Sequence, residues 1–387
     1  MKNKIIIIGG GASALMLASL LPKNTAIIIE SNAKVGAKIL VSGGGKCNIT
    51  NTKMGTEYFL GDESFVQPAL KRFNEKGLLR WLERQNLHPV LRKETQYFCQ
   101  DSAKELLDIF LKESKKQSTY LNESVLEVTK RDALFYVQTN KTTHTANAVV
   151  VASGGLSFPK LGASSIGYDI AESFGHSIVK TAPALVGFTV QKEQFFFKEL
   201  SGVSTEVKIY IGEDVCEGAL LFAHKGMSGP AVLDASLYWE KGKISIDFLP
   251  GFSWKSAKGS KKQISSLLPM PKRVTKAFLI QLSLEDKPYN QLSKEELEIL
   301  QTLSHYSLAP AGTFGYSKAE VTKGGVDTED VDSGTMMSQK EEGLYFIGEV
   351  LNVTGRLGGY NFQWAFSSAH SCSKNIQNYI SSIIKPE

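Results

Sequence analysis

Residues 1–30, MKNKIIIIGGGASALMLASLLPKNTAIIIE, decide the fold, and the first 21 of them admit two incompatible readings. A charged start, an apolar stretch and small residues before Pro22 describe a secretory signal, which would be cut away and take no part in the fold. The apolar start, however, is a run of four isoleucines ending in three glycines, the pattern of a strand followed by a turn. Gly9, Gly11 and Ala14 fit G-x-G-x-x-G/A. In that pattern the first glycine makes a tight turn, the second admits a pyrophosphate, and the third small residue lets helix pack on strand. Residues 12–21, opening with Ala12, supply the helix, whose amino end attracts phosphate.

A second buried strand, AIIIE, ends in Glu30, 21 positions after Gly9, where an acid accepts hydrogen bonds from an adenosine ribose. A signal peptide has no reason to be followed by a matched strand and acid, so the stretch reads as a dinucleotide-binding start. A buried strand and helix joined by an accidental glycine turn is the alternative.

Composition sets the frame. The 387 residues are 42% hydrophobic and 21% charged, ordinary globular proportions for two or three domains. No two of Cys47, Cys99, Cys216 and Cys372 lie within three positions of each other, so neither a metal site nor a disulfide framework is expected. No apolar run approaches the roughly 20 residues that cross a bilayer. The expectation is a cytoplasmic chain without a membrane partner, in which the sequons at Asn48, Asn122 and Asn352 carry no meaning. Nothing in the sequence sets an oligomeric state.

A second glycine cluster lies in residues 35–51, VGAKILVSGGGKCNITN. It is not an ATPase phosphate loop, which would need glycine where Leu40 stands and a hydroxyl where Cys47 stands. Gly43, Gly44 and Gly45, flanked by Ser42, Lys46 and Asn48, instead offer bare amides and side-chain donors to a planar ring or a diphosphate. The bland alternative is a flexible surface turn.

This stretch resembles the signature of the YhiN/BaiN-like flavoproteins, also called the aminoacetone oxidase family of FAD-binding, NAD(P)/FAD-dependent oxidoreductases. The resemblance continues through VVVASGGLSFPKLGASSIGYDIAESFGHSI, PALVGFTV, FAHKGMSGPAVL, VTKGGV and GLYFIGEVLNVTGRLGGYNFQWAFSSA, in family order. It departs at Lys46, Ser153 and Asn352, where the family usually has Arg, Thr and Asp; Ser153 keeps the hydroxyl, and Asn352 leaves an acid role at that position open. The resemblance implies bound FAD. Gly9, Gly11 and Glu30 would hold its ADP half, Val125 would touch adenine, and Lys38 with the loop from Ser42 to Asn48 would approach diphosphate and flavin. Ala152, Ser153 and Gly154 would close over the dinucleotide. Gly348 and Glu349 would lie beside the ribityl chain, while Gly355, Gly358, Gly359, Tyr360 and Asn361 would lead into a helix whose amides meet the flavin O2 edge.

If both chain ends build one site, the middle is an insertion. The expected fold class is α/β: a Rossmann-like, glutathione-reductase-type FAD domain (residues 1–186 and 315–387), an inserted β-rich, barrel-like domain (187–250 and 304–314) and a small basic helical domain (251–303). Short strands VGFTV, TEVKIYI, GALLF and KISIDFL mark the β-rich part, and SKEELEILQTL opens a helix with Ser293 as cap and Glu296 three residues on. A further helix starts near Ser228, with Pro230 in its first turn. Beside it, His224 either faces substrate or is a hydrogen-bonded strand-end residue.

Net charge is +5, but residues 253–284 hold no acid and seven bases: Lys255, Lys258, Lys261, Lys262, Lys272, Arg273 and Lys276. Such a face holds phosphates or is a solvated helical surface. The family's activities are reduction of an activated C=C bond, of a ribosomal RNA uridine or a steroid enone, and oxidation of small amines such as aminoacetone. The basic stretch favours RNA. In that reading flavin N5 sends hydride to C6 of uracil and a protein acid protonates C5, with Cys47 the leading acid and Tyr360, Arg356 and Trp364 orienting or stacking the base. Only one dinucleotide fingerprint is present, so NAD(P)H as donor would visit the flavin transiently. The alternatives are an FAD oxidase of a small-molecule amine, and a flavin-binding redox protein without turnover.

Overall fold

The computed structural model describes residues 3–383. Chain contacts divide it into two units, Met1–Ala182 with Glu320–Glu387, and Pro183–Ala319.

In the first unit the isoleucine runs form strands Asn3–Ile8 and Ala26–Ile29, whose isoleucines are at most 4% exposed. Continuous apolar strands of this kind suit a parallel sheet covered on both faces. Five strands run parallel in the order Ser118–Tyr120, Ala26–Ile29, Asn3–Ile8, Thr143–Val151, Leu344–Phe346. Strand Thr143–Val151 divides its outer edge between two partners. Residues Thr143 to Ala146 pair antiparallel with Leu134–Thr139, which in turn pairs with Val125–Arg131, and Val149 to Val151 pair parallel with Leu344–Phe346. Helix Ala12–Leu20 packs against the helix Tyr360–Ile383, so the two ends of the sequence cover the sheet together.

The second unit is an antiparallel sheet of seven strands, with Ser204–Ile211 and Asp214–Ala223 its longest pair. The expected helix near Ser228 is Pro230–Tyr238, with Pro230 at its first position. The capping box is present: Ser293 Oγ accepts from Glu296 N at 3.2 Å, and Glu296 Oε2 accepts from Ser293 N at 2.8 Å. The helical stretch is broken into Trp254–Ala257, Ile264–Leu267, Lys272–Gln281 and Lys294–Gln301. Gly259, left-handed at φ +80°, and Pro269 and Pro271 supply the breaks. Phe278 and Leu300 of these helices share one buried cluster with Ile209, Phe222 and Ile246 of the strands. Among the described residues, no helix is long and apolar enough to cross a membrane.

Candidate active site

Gly9, Glu30, Ala152 and Ile347 each follow the carboxyl end of a parallel strand, so the motifs predicted from opposite ends of the sequence converge on one rim of the sheet. Crevices at that rim bind ligands in open α/β sheets. The two glycines of the fingerprint have different surroundings. Gly9 is left-handed at φ +102°, and a Cβ there would lie 2.6 Å from Ala152 O. Gly11 has φ −82°, and a Cβ there would meet nothing within 4 Å. Gly11 also caps helix Ala12–Leu20 without any side-chain bond to the first-turn amides. Bare amides facing open space at a helix amino end form a cradle for phosphate, one that a side chain at Gly11 would fill.

Glu30, 8% exposed, is fixed by four donors. Its Oε1 accepts from Asn32 N (2.8 Å), Asn32 Nδ2 (2.7 Å) and Ser31 Oγ (3.3 Å), and Oε2 from Gly10 N (2.6 Å). With two lone pairs on each oxygen, Oε2 retains an acceptor position for a ribose hydroxyl. Val125, half-buried, opens the strand that follows Glu123, whose N–H donates to Glu30 O at 3.0 Å. Gly10 and Asn32 escaped the sequence reading, although the triple glycine and the polar residue just after Glu30 were visible signals.

The second glycine cluster is a surface turn with left-handed backbone. Gly43, Gly44, Gly45 and Cys47 have φ of 56°, 66°, 84° and 46°, and a Cβ on Gly44 or Gly45 would meet nothing within 4 Å. Ser42 Oγ is turned inward to Ile39 O at 2.7 Å, whereas Lys46 is exposed. Asn48 Nδ2 donates to Gln96 Oε1 at 2.8 Å, and its Oδ1 is buried without a partner. An orphaned carbonyl oxygen beside open glycine backbone fits a ligand that brings its own N–H, as a flavin does.

Cys47 is fully buried, and its thiol bonds that of Cys99. That bond and burial hold the Cys47 thiol well above its usual range. A side chain so enclosed, with its thiol engaged by Cys99, presents no proton to a substrate. Cys99 N reinforces the arrangement by donating to Lys46 O and Cys47 O at 3.1 and 3.3 Å.

Lys38 Nζ pairs with Glu349 at 2.7 and 3.0 Å, joining the glycine loop to the rim beyond Leu344–Phe346. Glu349 Oε1 also accepts from Thr322 N at 3.0 Å. Thr322 Oγ1 in turn accepts from Leu156 N and Ser157 N at 2.9 and 3.1 Å, holding the chain just past Ala152, Ser153 and Gly154. Thr322 was not singled out as a site residue, although the VTKGGV motif contained it. Gly348, at φ +76°, donates to Ser368 Oγ at 3.0 Å and accepts from Trp364 Nε1 at 3.1 Å. Trp364 is thus a buried support of the rim, 1% exposed, and does not face a base.

The approach to the last helix is equally fixed. Gly355 N and O exchange hydrogen bonds with the Asn361 amide, both at 2.8 Å, and Asn51 Nδ2 donates to Gly358 O at 3.0 Å. Gly359, at φ +95°, packs on Thr50, where a Cβ would lie 2.7 Å from its backbone. Tyr360 stacks on Tyr58 at 4.8 Å, and Arg356 is half-buried on the same turn. His224 is exposed in the turn between Asp214–Ala223 and Gly226–Ser228, in the second unit. All seven bases of residues 253–284 are exposed, and among the described residues none forms an ion pair. Arg273 donates to Glu199 O.

This chain is similar to characterised proteins over nearly its full length. A ribosomal RNA dihydrouridine synthase of Haemophilus influenzae is 37% identical over 392 residues, 96% of this chain and 98% of its own. The protein of the same name from Escherichia coli is 37% identical, over 96% of this chain and 97% of its own. A 3-dehydro-bile acid delta(4,6)-reductase of Clostridium scindens is 30% identical over 95% and 97%. Among solved structures, a 3-ketosteroid-delta4-(5alpha)-dehydrogenase of Rhodococcus jostii superposes with a TM-score of 0.51 at 10% identity, covering 96% of this chain and 97% of its own. A flavocytochrome c3 fumarate reductase gives 0.51 at 15% identity over 98% and 79%. At such identities the two structures speak for the fold alone. The HI0933-like protein Rossmann domain matches residues 3–375, and the chain therefore belongs to that family of Rossmann-fold flavoproteins and is an FAD-dependent oxidoreductase.

Proposed function

We propose that the enzyme reduces an activated carbon–carbon double bond and that its substrate is a uridine of ribosomal RNA, converted to dihydrouridine. The observation that carries this reading is the near full-length likeness, at 37% identity, to two proteins named for that reaction. The unpaired basic surface of residues 253–284 supports it, since a polyanionic substrate needs such a face.

FAD, when bound and reduced, would supply the hydride for C6 of the uracil ring, and solvent water would supply the proton for C5. The chain's own work is positioning. Gly11 and Ala12 seat the diphosphate at the helix amino end, with Gly9 making the turn and Ala14 packing the helix on the sheet, and Glu30 Oε2 receives the ribose. The Lys38–Glu349 pair and Thr322 hold the loops that meet the flavin, with Asn48 Oδ1 accepting a ring N–H. Arg356, half-buried at the mouth of the last helix, orients the base, while Tyr360, buried and stacked on Tyr58, holds that turn in place. In this reading the cofactor domain comprises residues 1–186 and 315–387, and residues 187–314 carry the RNA-facing surface. Because the fold has one dinucleotide fingerprint, NAD(P)H reaches the flavin transiently rather than from a domain of its own.

The test is dihydrouridine mapping in ribosomal RNA from cells with and without the gene, beside a visible spectrum of the purified protein. Loss of one dihydrouridine on deletion, restored by the intact gene, is expected. Unchanged RNA would overturn the substrate, and peroxide release with aminoacetone would then identify an amine oxidase.

A further inference from the structure

The second unit carries a groove that the flavin chemistry does not use. Its volume is about 360 Å³, and Pro250, Phe252, Ser253, Ser256, Leu267 and Pro269 line it. The floor is apolar and braced. Phe252 packs edge-on against Trp254, with ring centroids 5.0 Å apart, and Trp254 Nε1 is anchored to Ser304 Oγ at 3.2 Å. One rim carries hydroxyls: Ser253 Oγ caps the short helix Trp254–Ala257, accepting from Ser256 N at 3.3 Å, and Ser256 Oγ donates to it at 3.0 Å.

Every charged residue from Pro250 to Leu284, the stretch that lines the groove, is a base. Lys255 and Lys258 belong to or directly follow the helix Trp254–Ala257, and Lys272 and Arg273 open the helix just beyond Pro269. All four are exposed, without an ion pair among the described residues. The first acids after the basic stretch are Glu285 and Asp286, and Asp286 is occupied in capping Ser265, accepting from its N at 3.0 Å and its Oγ at 2.6 Å. An apolar floor with an aromatic edge, a hydroxyl rim and exposed cations in the chain before and after it matches a nucleotide: a flat base, a ribose and its flanking phosphates.

We infer that this groove binds one unpaired nucleotide of the substrate RNA, outside the reduced uridine, with its base on Phe252 and its flanking phosphates on Lys255, Lys258, Lys272 and Arg273. The inference rests on the RNA reading for the identity of the substrate and on charge complementarity for the occupant. The base contact is insensitive to salt and the phosphate contacts are not, so the two halves of the site separate experimentally.

The test uses the full-length, FAD-loaded protein and a fluorescent single-stranded oligouridylate, titrated at several salt concentrations. The double variant K255A/K258A lowers affinity at least tenfold and flattens the log–log salt slope by about 1.4, the share of two single-strand phosphates. Phe252→Ala lowers affinity about tenfold with the slope unchanged, and Phe252→Tyr restores it. A fully paired RNA of the same length is not affected by Phe252→Ala. An unchanged calorimetric transition of the second unit confirms that the variants are folded. Wild-type oligouridylate affinity in both K255A/K258A and Phe252→Ala overturns the groove, whatever the enzyme does to ribosomal RNA. Conversely, weakened binding in these variants, with no dihydrouridine formed by the wild type, upholds the groove and overturns the substrate.

Discussion

Gly9 and Gly11 stand two positions apart and serve different purposes, which substitution separates. A methyl at Gly9 would press on Ala152 O from a left-handed backbone, so Gly9→Ala is expected to destabilise the apoprotein by about 1–3 kcal/mol in urea unfolding. Gly11→Val has room and an ordinary φ, so the apoprotein keeps its stability within about 0.5 kcal/mol while FAD, titrated by flavin fluorescence, fails to bind. Equal stability losses in the two variants would remove the distinction between a structural and a phosphate-facing glycine. Cys47 poses the opposite problem, a reactive residue type in an unreactive place. Cys47→Ala deletes a fully buried sulfur packed on Cys99, which costs about 1–2 kcal/mol, and leaves dihydrouridine formation intact. Loss of product with FAD retained would return Cys47 to the mechanism.

The helix Tyr360–Ile383 ties the site to the pH response of the fold. His370 stacks on Phe73 at 4.6 Å with its Nδ1 buried and unpartnered. Burial first, then the nearby Lys374 and Arg72, lower its pKa to about 4. The unfolded chain binds the proton from about pH 6.5 downward, so His370 leaves stability flat above that value and removes it progressively as pH falls toward 4. His176, also lowered by burial, adds a loss of the same sign. Replacing His370 with Phe is expected to flatten the fall in melting temperature between pH 6.5 and 4 without abolishing it; an unchanged profile would show that the ring is protonated in the fold. Such buried pairings were beyond the sequence, because they join residues about 300 positions apart. What was legible had local cause: the isoleucine runs and spaced glycines of the first strand and turn, the Ser293 capping box, and the glycines that lead into Tyr360. Thr322 escaped notice because its role lies in the two backbone amides and the carboxylate it binds across the fold. The basic stretch read as helical, but its proline and glycine breaks decided how the charges are distributed.

At the scale of the molecule, the outgoing strand Ile178–Ala184 and the returning strand Val321–Val326 form a two-stranded sheet. The second unit therefore leaves and rejoins the first at neighbouring points, which is how a dinucleotide fold whose halves come from both chain ends accommodates 137 inserted residues, 183 to 319. Each unit owns a buried cluster, the first built around the isoleucine strands and the last helix, the second around Phe197, Phe222, Phe248 and Phe278. Every residue assigned to FAD belongs to the first unit. A ligand that binds only one folded unit stabilises that unit by mass action, by about 2.7 kcal/mol at a free concentration one hundred times its Kd. Calorimetry of the apoprotein should therefore resolve two transitions, of which added FAD raises one and leaves the other in place. Charge reversal at Lys255 and Lys258 should leave the FAD-dependent transition unmoved, because those lysines are exposed in the other unit. A single transition carried upward as a whole by FAD would mean that the insertion folds only with the flavin domain, and RNA docking and flavin binding would then be thermodynamically linked rather than separable.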